Sequence, residues 1–435
     1  MSRPVGDGAA DELAAVYRRE VGRCTATLVR ILGDLDLAED AVAEAFAIAA
    51  EQWPVRGIPP NPGGWITTTA RNRAIDRLRR EATRDARHEA AHRLHALPTD
   101  TDAMASAPDP TSGHPDLDEL DGFVDVVADD QLRLMFLCCH PALAPDAQVA
   151  LTLRLLGGLD TPEIARAFLV PEATLAQRIV RAKRKLRDNP APYRIPRPAE
   201  LPDRLHVVLS AIYLIYTEGH TATTGDALTR ADLSTEAIRL ARVLAGLMPD
   251  EPEAVGLLAL LLLTEARRPA RTAADGSMVR LADQDRSRWD ASMIAEGHDL
   301  VRACLRHDQP GPFQVQAAIA AVHADAARAE DTDWDQVVQL YDLLLALRPN
   351  PVVALNRAVA VAERDGADAG LAALEDVQGL ADYQPFHAAR ADLLARAGDA
   401  DAAADAYARA LALTTNAPER AFLLARRAAL PFPTG

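Results

Sequence analysis

Three observations predict an all-α protein. Ala, Leu, Arg and Asp dominate the 435-residue chain, and aromatic residues make up only 4% of it. β-branched runs are short, and such a mixture favours helices packed through small side chains. Apolar residues recur at i, i+4 and i+7 through several long windows, the period of one helix face. Toward the C-terminus the pattern itself repeats. YDLLLALRPN from Tyr341 aligns with YARALALTTN from Tyr407, and Pro351, Pro385 and Pro418 mark helix starts at a period of about 34 residues.

Length and a formal charge of −16 suggest two to four domains. No apolar run approaches the ~20 residues that span a bilayer. MSRPVGDGAADEL has no hydrophobic signal core, so a cytoplasmic protein without membrane contact is expected. Cys24, Cys138, Cys139 and Cys304 form no CxxC pair and read as buried thiols in a reducing compartment. Net acidity argues against a chain-wide nucleic-acid coat, so attraction to phosphate has to come from local patches.

The first helix spans about residues 11–32 and ends at Gly33-Asp34. Asp36-Leu-Ala-Glu39 then resembles a capping box, with the acid at the N-cap. In the next helix Val42, Ala45, Phe46, Ala49 and Trp53 share a buried face. Asp40, Glu44 and Glu51 form an acidic stripe opposite, either a solvated face or a docking surface for a basic partner. After a Pro/Gly loop over 54–62, Trp65 opens a long helix. Ile75 and Leu78 point one way on it, and Arg73, Arg77, Arg80, Arg84 and Arg87 point the other. Five arginines on one stripe, with Trp65 and Asn72 at its start, suit phosphate neutralisation and capture of an unstacked base.

His88-Glu-Ala-Ala-His92 matches HExxH, the zinc-protease pattern. Flanking Arg87 and Arg93 and the absence of a following glycine turn mark it as a decoy. No metal, cofactor or covalent chemistry is expected. From Pro98 to about Asp130 the chain is rich in Asp and Pro and carries no Lys or Arg, the composition of a linker with a short helix near its end.

Two apolar helices, 132–139 and 147–156, come next. Adjacent Cys138 and Cys139 point about 100° apart on a helix, which favours buried thiols over a shared ion. The stretch DTPEIARAFLVPEATLAQRIVRAKRKLR, from Asp160 to Arg187, reads as two helices joined by a turn. The first opens at Asp160 or Thr161, with Glu163 at the positive end of its dipole. On the second, Leu175, Ile179, Ala182 and Leu186 face inward while Thr174, Gln177, Arg181 and Arg184 face outward. That arrangement suits a recognition helix in a major groove. The only two lysines of the chain, Lys183 and Lys185, lie here.

These two helical modules in this order, LAEDAVAEAF with WITTTARNRAIDRLRR and then the helix-turn-helix, resemble the sigma-70 family, specifically extracytoplasmic-function (ECF) sigma factors. The resemblance covers about residues 11–188. It implies sigma domain 2 over 1–95, a flexible acidic linker over 96–130 and sigma domain 4 over 131–190. It places Asp40, Glu44 and Phe46 against the β′ clamp helices of core RNA polymerase, which is also met through its β subunit. A glutamine is usual just before Glu44, and this chain has Ala43. Trp65, Asn72, Arg73, Arg77 and Arg80 would melt and read the −10 promoter element. Glu172, Thr174, Gln177, Arg178, Arg181, Lys183, Arg184 and Lys185 would meet the −35 element. Gln177 and Arg178 suit bidentate base contacts; Arg181 and the residues after it suit phosphates.

More than half of the chain follows. Residues 191–330 read as a helical extension. Its loop carries Arg267, Arg271, Gln284, Asp285, Arg286 and Trp289, a structural charge network in preference to a polar pocket. Glu218 and His220 have no partner that the sequence can place. Residues 331–435 resemble tetratricopeptide (TPR) helix pairs, a surface that holds a protein or peptide ligand. The whole chain resembles the ECF subgroup with a C-terminal TPR extension. The competing expectation is a helix-turn-helix regulator with a TPR sensor, binding promoter DNA without polymerase.

Overall fold

In the computed structural model of the chain, residues 6–94, 123–168, 170–188, 196–197, 199–222 and 228–431 are described, without the side chains of 6–11, 18, 81–94, 123–129 and 166–167. Regular structure among them is helical, apart from an isolated bridge between Thr272 and Met278. The chain divides into two compact units, residues 1–164 with 172–205, and 165–171 with 206–435.

In the first unit, α1 (Gly6–Leu32), α2 (Leu35–Arg56) and α3 (Pro62–Leu94) enclose Leu28, Val42, Ala45, Phe46, Trp53, Ile66 and Ala70. The cap of α2 is Asp34, not Asp36: its carboxylate accepts from Leu37 N at 2.9 Å. Gly33 takes a positive φ of 69°, which lets the chain turn into that cap. Asp36 and Glu39 are thereby left for other partners. Pro54 lies inside α2, in its last turn, and Gly57 N closes the end on Trp53 O. α3 starts three residues before Trp65, at Pro62, where a missing N–H costs nothing, and Asn61 Oδ1 accepts from Gly64 N at 3.0 Å. The expected inward pair on α3 is also corrected. Ile66, Ala70 and Ala74 are buried, while Ile75 is half-buried and Leu78 is 44% exposed. Alanines allow close helix approach, and the larger residues fall one step off the contact line.

α4 (Phe123–Cys138) begins within the stretch expected as linker. It is followed by α5 (Pro145–Leu155), α6 (Thr161–Ala167) and α7 (Glu172–Asp188). Asp160 and Glu163 form a reciprocal capping box, Glu163 N donating to Asp160 at 2.7 Å and Asp160 N to Glu163 at 2.8 Å. α1 packs on α4 and α5. Gly22 permits the α1–α5 crossing, since a Cβ there would lie 2.9 Å from Leu156 O.

The second unit holds most of α8 (Leu201–His220), then α9 (Ala231–Leu247), α10 (Pro252–Glu265), α11 (Ala291–Leu305) and α12 (Pro312–Asp325). α10 is buried almost throughout, as its Leu run requires. Three pairs follow: α13 (Trp334–Leu347) with α14 (Pro351–Asp365), α15 (Ala367–Glu375) with α16 (Gln384–Ala397), and α17 (Ala400–Leu413) with α18 (Ala417–Ala428). Corresponding helices start 33 residues apart. Small residues at the crossings, including Ala358, Ala362, Ala391, Ala403 and Ala410, are buried. The last pair is tied back to the segment after α8, Asn416 Nδ2 donating to Ala222 O at 2.9 Å. No described helix is long and apolar enough to cross a membrane.

Candidate nucleic-acid interface

The first candidate surface is shared by α2 and α3. Asp40 and Glu44 are exposed on α2, as are Asn72, Arg73, Arg77 and Arg80 on α3. The two stripes adjoin, because Arg77 Nη1 meets Asp40 Oδ2 at 3.0 Å. Phe46 departs from its expected place at a partner. It is 6% exposed and packs edge-on against Tyr17 at 4.7 Å, so it holds α2 on the core and offers no contact surface. Trp65 is half-buried and stands edge-on to Trp53 at 5.4 Å. Its indole is braced by the core, a preorganised plane at the start of the arginine stripe. Thr67, one turn into α3, donates to Gly63 O at 2.9 Å and to Cys24 at 3.3 Å. Burial pushes that thiol up to about 12. The side chains of Arg84, Arg87, His88, Glu89 and His92 are outside the described set.

The second surface is α7. Leu175, Ile179, Ala182 and Leu186 are buried as the period requires. Glu172, Thr174, Gln177, Arg181, Arg184 and Lys185 are exposed. Arg184 pairs with Asp188 at 3.2 Å, and Lys185 Nζ donates to Ala142 O. Arg178 is half-buried and 3.2 Å from Asp146. An exposed side-chain pair of this kind exchanges readily for a base or phosphate.

Lys183 is placed differently. Its ammonium contacts Glu39 at 2.6 Å and Asp36 at 2.8 Å, and its side chain is 15% exposed. Burial pulls its pKa down, but the carboxylates of Glu39 and Asp36 more than offset this, and the net shift is upward. Arg154 reaches Glu39 at 2.6 Å and Arg187 reaches Asp36 at 3.2 Å. In the same unit Asp130, with no exposed surface, pairs with Arg30 at 2.8 Å and Arg133 at 2.9 Å. Sequence reasoning missed this junction. Its one available signal is that Asp36 and Glu39 stand a turn before the acidic stripe.

Cys138 and Cys139 are buried, Cys139 Sγ lies 3.6 Å from Thr152 Oγ1, and burial raises both thiols, Cys139 to about 11. No cluster of three or more metal-ligating side chains occurs among the described residues.

Comparison with known proteins matches residues 16–84 to sigma-70 region 2 and residues 133–186 to sigma-70 region 4. Residues 204–305 match a family of unknown function, DUF6596. An uncharacterized protein of Rhizobium meliloti (strain 1021), R00370, is 43% identical over 413 residues, covering 95% of this chain and 94% of its own length. A protein of Mycobacterium tuberculosis (strain H37Rv), named probable ECF RNA polymerase sigma factor SigI, is 27% identical over 179 residues. That match covers 41% of this chain and 56% of the relative.

Proposed function

The chain belongs to the sigma-70 family of RNA polymerase sigma factors, and on that premise we propose that it is an ECF-type factor whose C-terminal unit regulates or supports its activity. A sigma factor binds core polymerase and directs it to promoter DNA without covalent chemistry of its own. In this chain the exposed carboxylates Asp40 and Glu44 are the contacts for the β′ clamp helices. Trp65, Asn72, Arg73, Arg77 and Arg80 face the −10 element. On α7, Glu172, Thr174, Gln177 and Arg178 choose −35 bases, and Arg181, Arg184 and Lys185 anchor phosphates. Lys183 joins them once its pairs with Asp36 and Glu39 are exchanged.

The observation that carries this reading is the pairing of two surfaces. A DNA-binding regulator needs α7 alone, whereas this chain also has an exposed acidic stripe and a braced tryptophan leading an arginine face. The three helix pairs at 33-residue spacing support a TPR-like domain with a protein or peptide ligand. The test is transcription in vitro with core polymerase and this protein over a promoter library. New start sites that depend on the protein are expected. Duplex binding with no initiation would instead favour the helix-turn-helix regulator. Truncation after about residue 190 should change promoter output, and unchanged output removes the regulatory role.

A further inference from the structure

The outward face of α7 is not uniformly polar. Val180 stands at mid-helix and is 65% exposed, while Leu175, Ile179, Ala182 and Leu186 fill the buried face. It follows Ala176 by four residues and Gln177 by three, and it precedes Arg184 by four, so these side chains are its neighbours on the helix surface. Ala173 is exposed and Ala176 half-buried. Spaced i, i+3 and i+7, Ala173, Ala176 and Val180 form an uncharged seam beside the row of Gln177, Arg181 and Arg184.

The fold gains little from this valine. Its methyls stay in water, and its branched side chain loses freedom in a helix that alanine, arginine or lysine would keep or never had. Single exposed aliphatic residues are ordinary on protein surfaces. What distinguishes Val180 is the company it keeps, because exposed Gln177, Arg181 and Arg184 make this the face that suits a duplex. The major groove displays one apolar group at its base edges, the 5-methyl of thymine. Val180 lies eight residues beyond Glu172, the start of α7. That is about 12 Å along the axis, comparable with the ~12 Å width of a major groove. A helix entering by its N-terminal end, as recognition helices do, therefore still has Val180 at the bases. Alanines before it let the helix approach closely.

On the reading of α7 as the −35 helix, we propose that Val180 determines specificity by packing on the 5-methyl group of a thymine in the −35 element, beside the base pair read by Gln177. The two side chains divide the work. Gln177 reads hydrogen-bonding edges, which thymine and uracil share, whereas Val180 reads the methyl that only thymine carries.

The test uses the full chain with core polymerase on a linear promoter taken from the library. Each thymine of the −35 element, on either strand, is replaced in turn by deoxyuridine, which removes the methyl and leaves the hydrogen-bonding groups unchanged. Replacement at one thymine, or at two adjacent ones, should weaken promoter binding by about three- to tenfold. Val180→Ala should lose a similar factor on the parent promoter, keep the parent Tm, and be indifferent to deoxyuridine at that position. Gln177→Ala should bind more weakly yet retain the deoxyuridine penalty, which assigns the methyl to Val180. An element without thymine, a scan in which deoxyuridine costs nothing, or a penalty that persists in full in Val180→Ala overturns the proposal. Failure to initiate at every promoter is a separate result, which removes the sigma reading. The same scan on duplexes selected by the full chain alone then decides the methyl contact by the same criteria.

Discussion

Particular cations in the two units differ in how they are matched. In the first, Lys183, Arg154 and Arg187 are answered by Asp36 and Glu39, and Arg30 and Arg133 by Asp130. In the second, Arg268 pairs with Glu265 at 2.8 Å, whereas Arg267 and Arg271 have no carboxylate at ion-pair distance among the described residues. Matched charges hold helices together. Arg271 is held instead by neutral acceptors, His220 O and Thr221 Oγ1, the latter at 2.9 Å. The exposed arginines of α3 and α7 are a third case, because water screens them and surface pairs such as Arg77–Asp40 and Arg184–Asp188 contribute little to the fold.

The strongest way to break the comparison is to unmatch the first unit. Asp130→Ala removes a fully buried carboxylate shared by two arginines and should destabilise by about 3 kcal/mol, read by urea denaturation. A variant as stable as the parent would show that the pairs contribute nothing. Acid should reach the second unit next. Burial is the main cause that holds His220 and His323 down to about 4, with Arg267 and its neighbours adding to it. Between their ordinary value of about 6.5 and about 4 the unfolded chain binds protons that the folded one does not, so stability is full above pH 6.5 and falls with acid. The loss should be on the order of 1–3 kcal/mol per histidine. Melting curves against pH check it, and His220→Gln and His323→Gln should each flatten the slope.

Smaller effects sharpen the contrast. Glu39→Gln deprives Lys183 and Arg154 of a shared partner, and a double-mutant cycle with Lys183→Met should give a coupling of about 1 kcal/mol that shrinks in salt. A coupling indifferent to salt would speak against an electrostatic junction. Arg181→Ala should reduce the slope of log K against log salt for duplex binding by about 1, with sequence preference retained. Gln177→Ala should instead relax preference at one base pair, at a cost of about 1–3 kcal/mol.

Local chemistry sufficed for much of this. The inward faces of α2 and α7, the three proline-led helix starts and the Asp160–Glu163 box follow from period, capping and proline geometry, each decided within a few residues of chain. Asp36 as N-cap and Leu78 as an inward residue fail for a related reason. A cap is fixed by backbone angles one or two residues away, and a contact line by the partner helix. Phe46 could be assigned to the core or to a partner until Tyr17 was placed beside it.

What only the tertiary structure decided is the fate of the charges. The sequence by itself determined helices along the described chain and a repeating C-terminal pattern, because periodicity and short motifs report the local backbone, while the two sigma modules came from their resemblance to the sigma-70 family. It could not tell Lys183 from Lys185, or Arg267 from Arg268, since each pair sits in nearly the same local sequence. One lysine meets Asp36 and Glu39 across more than 140 residues, and one arginine meets no carboxylate among the described residues. A charge's worth depends on dielectric and on the nearest opposite charge, and both are set by segments that only folding brings together.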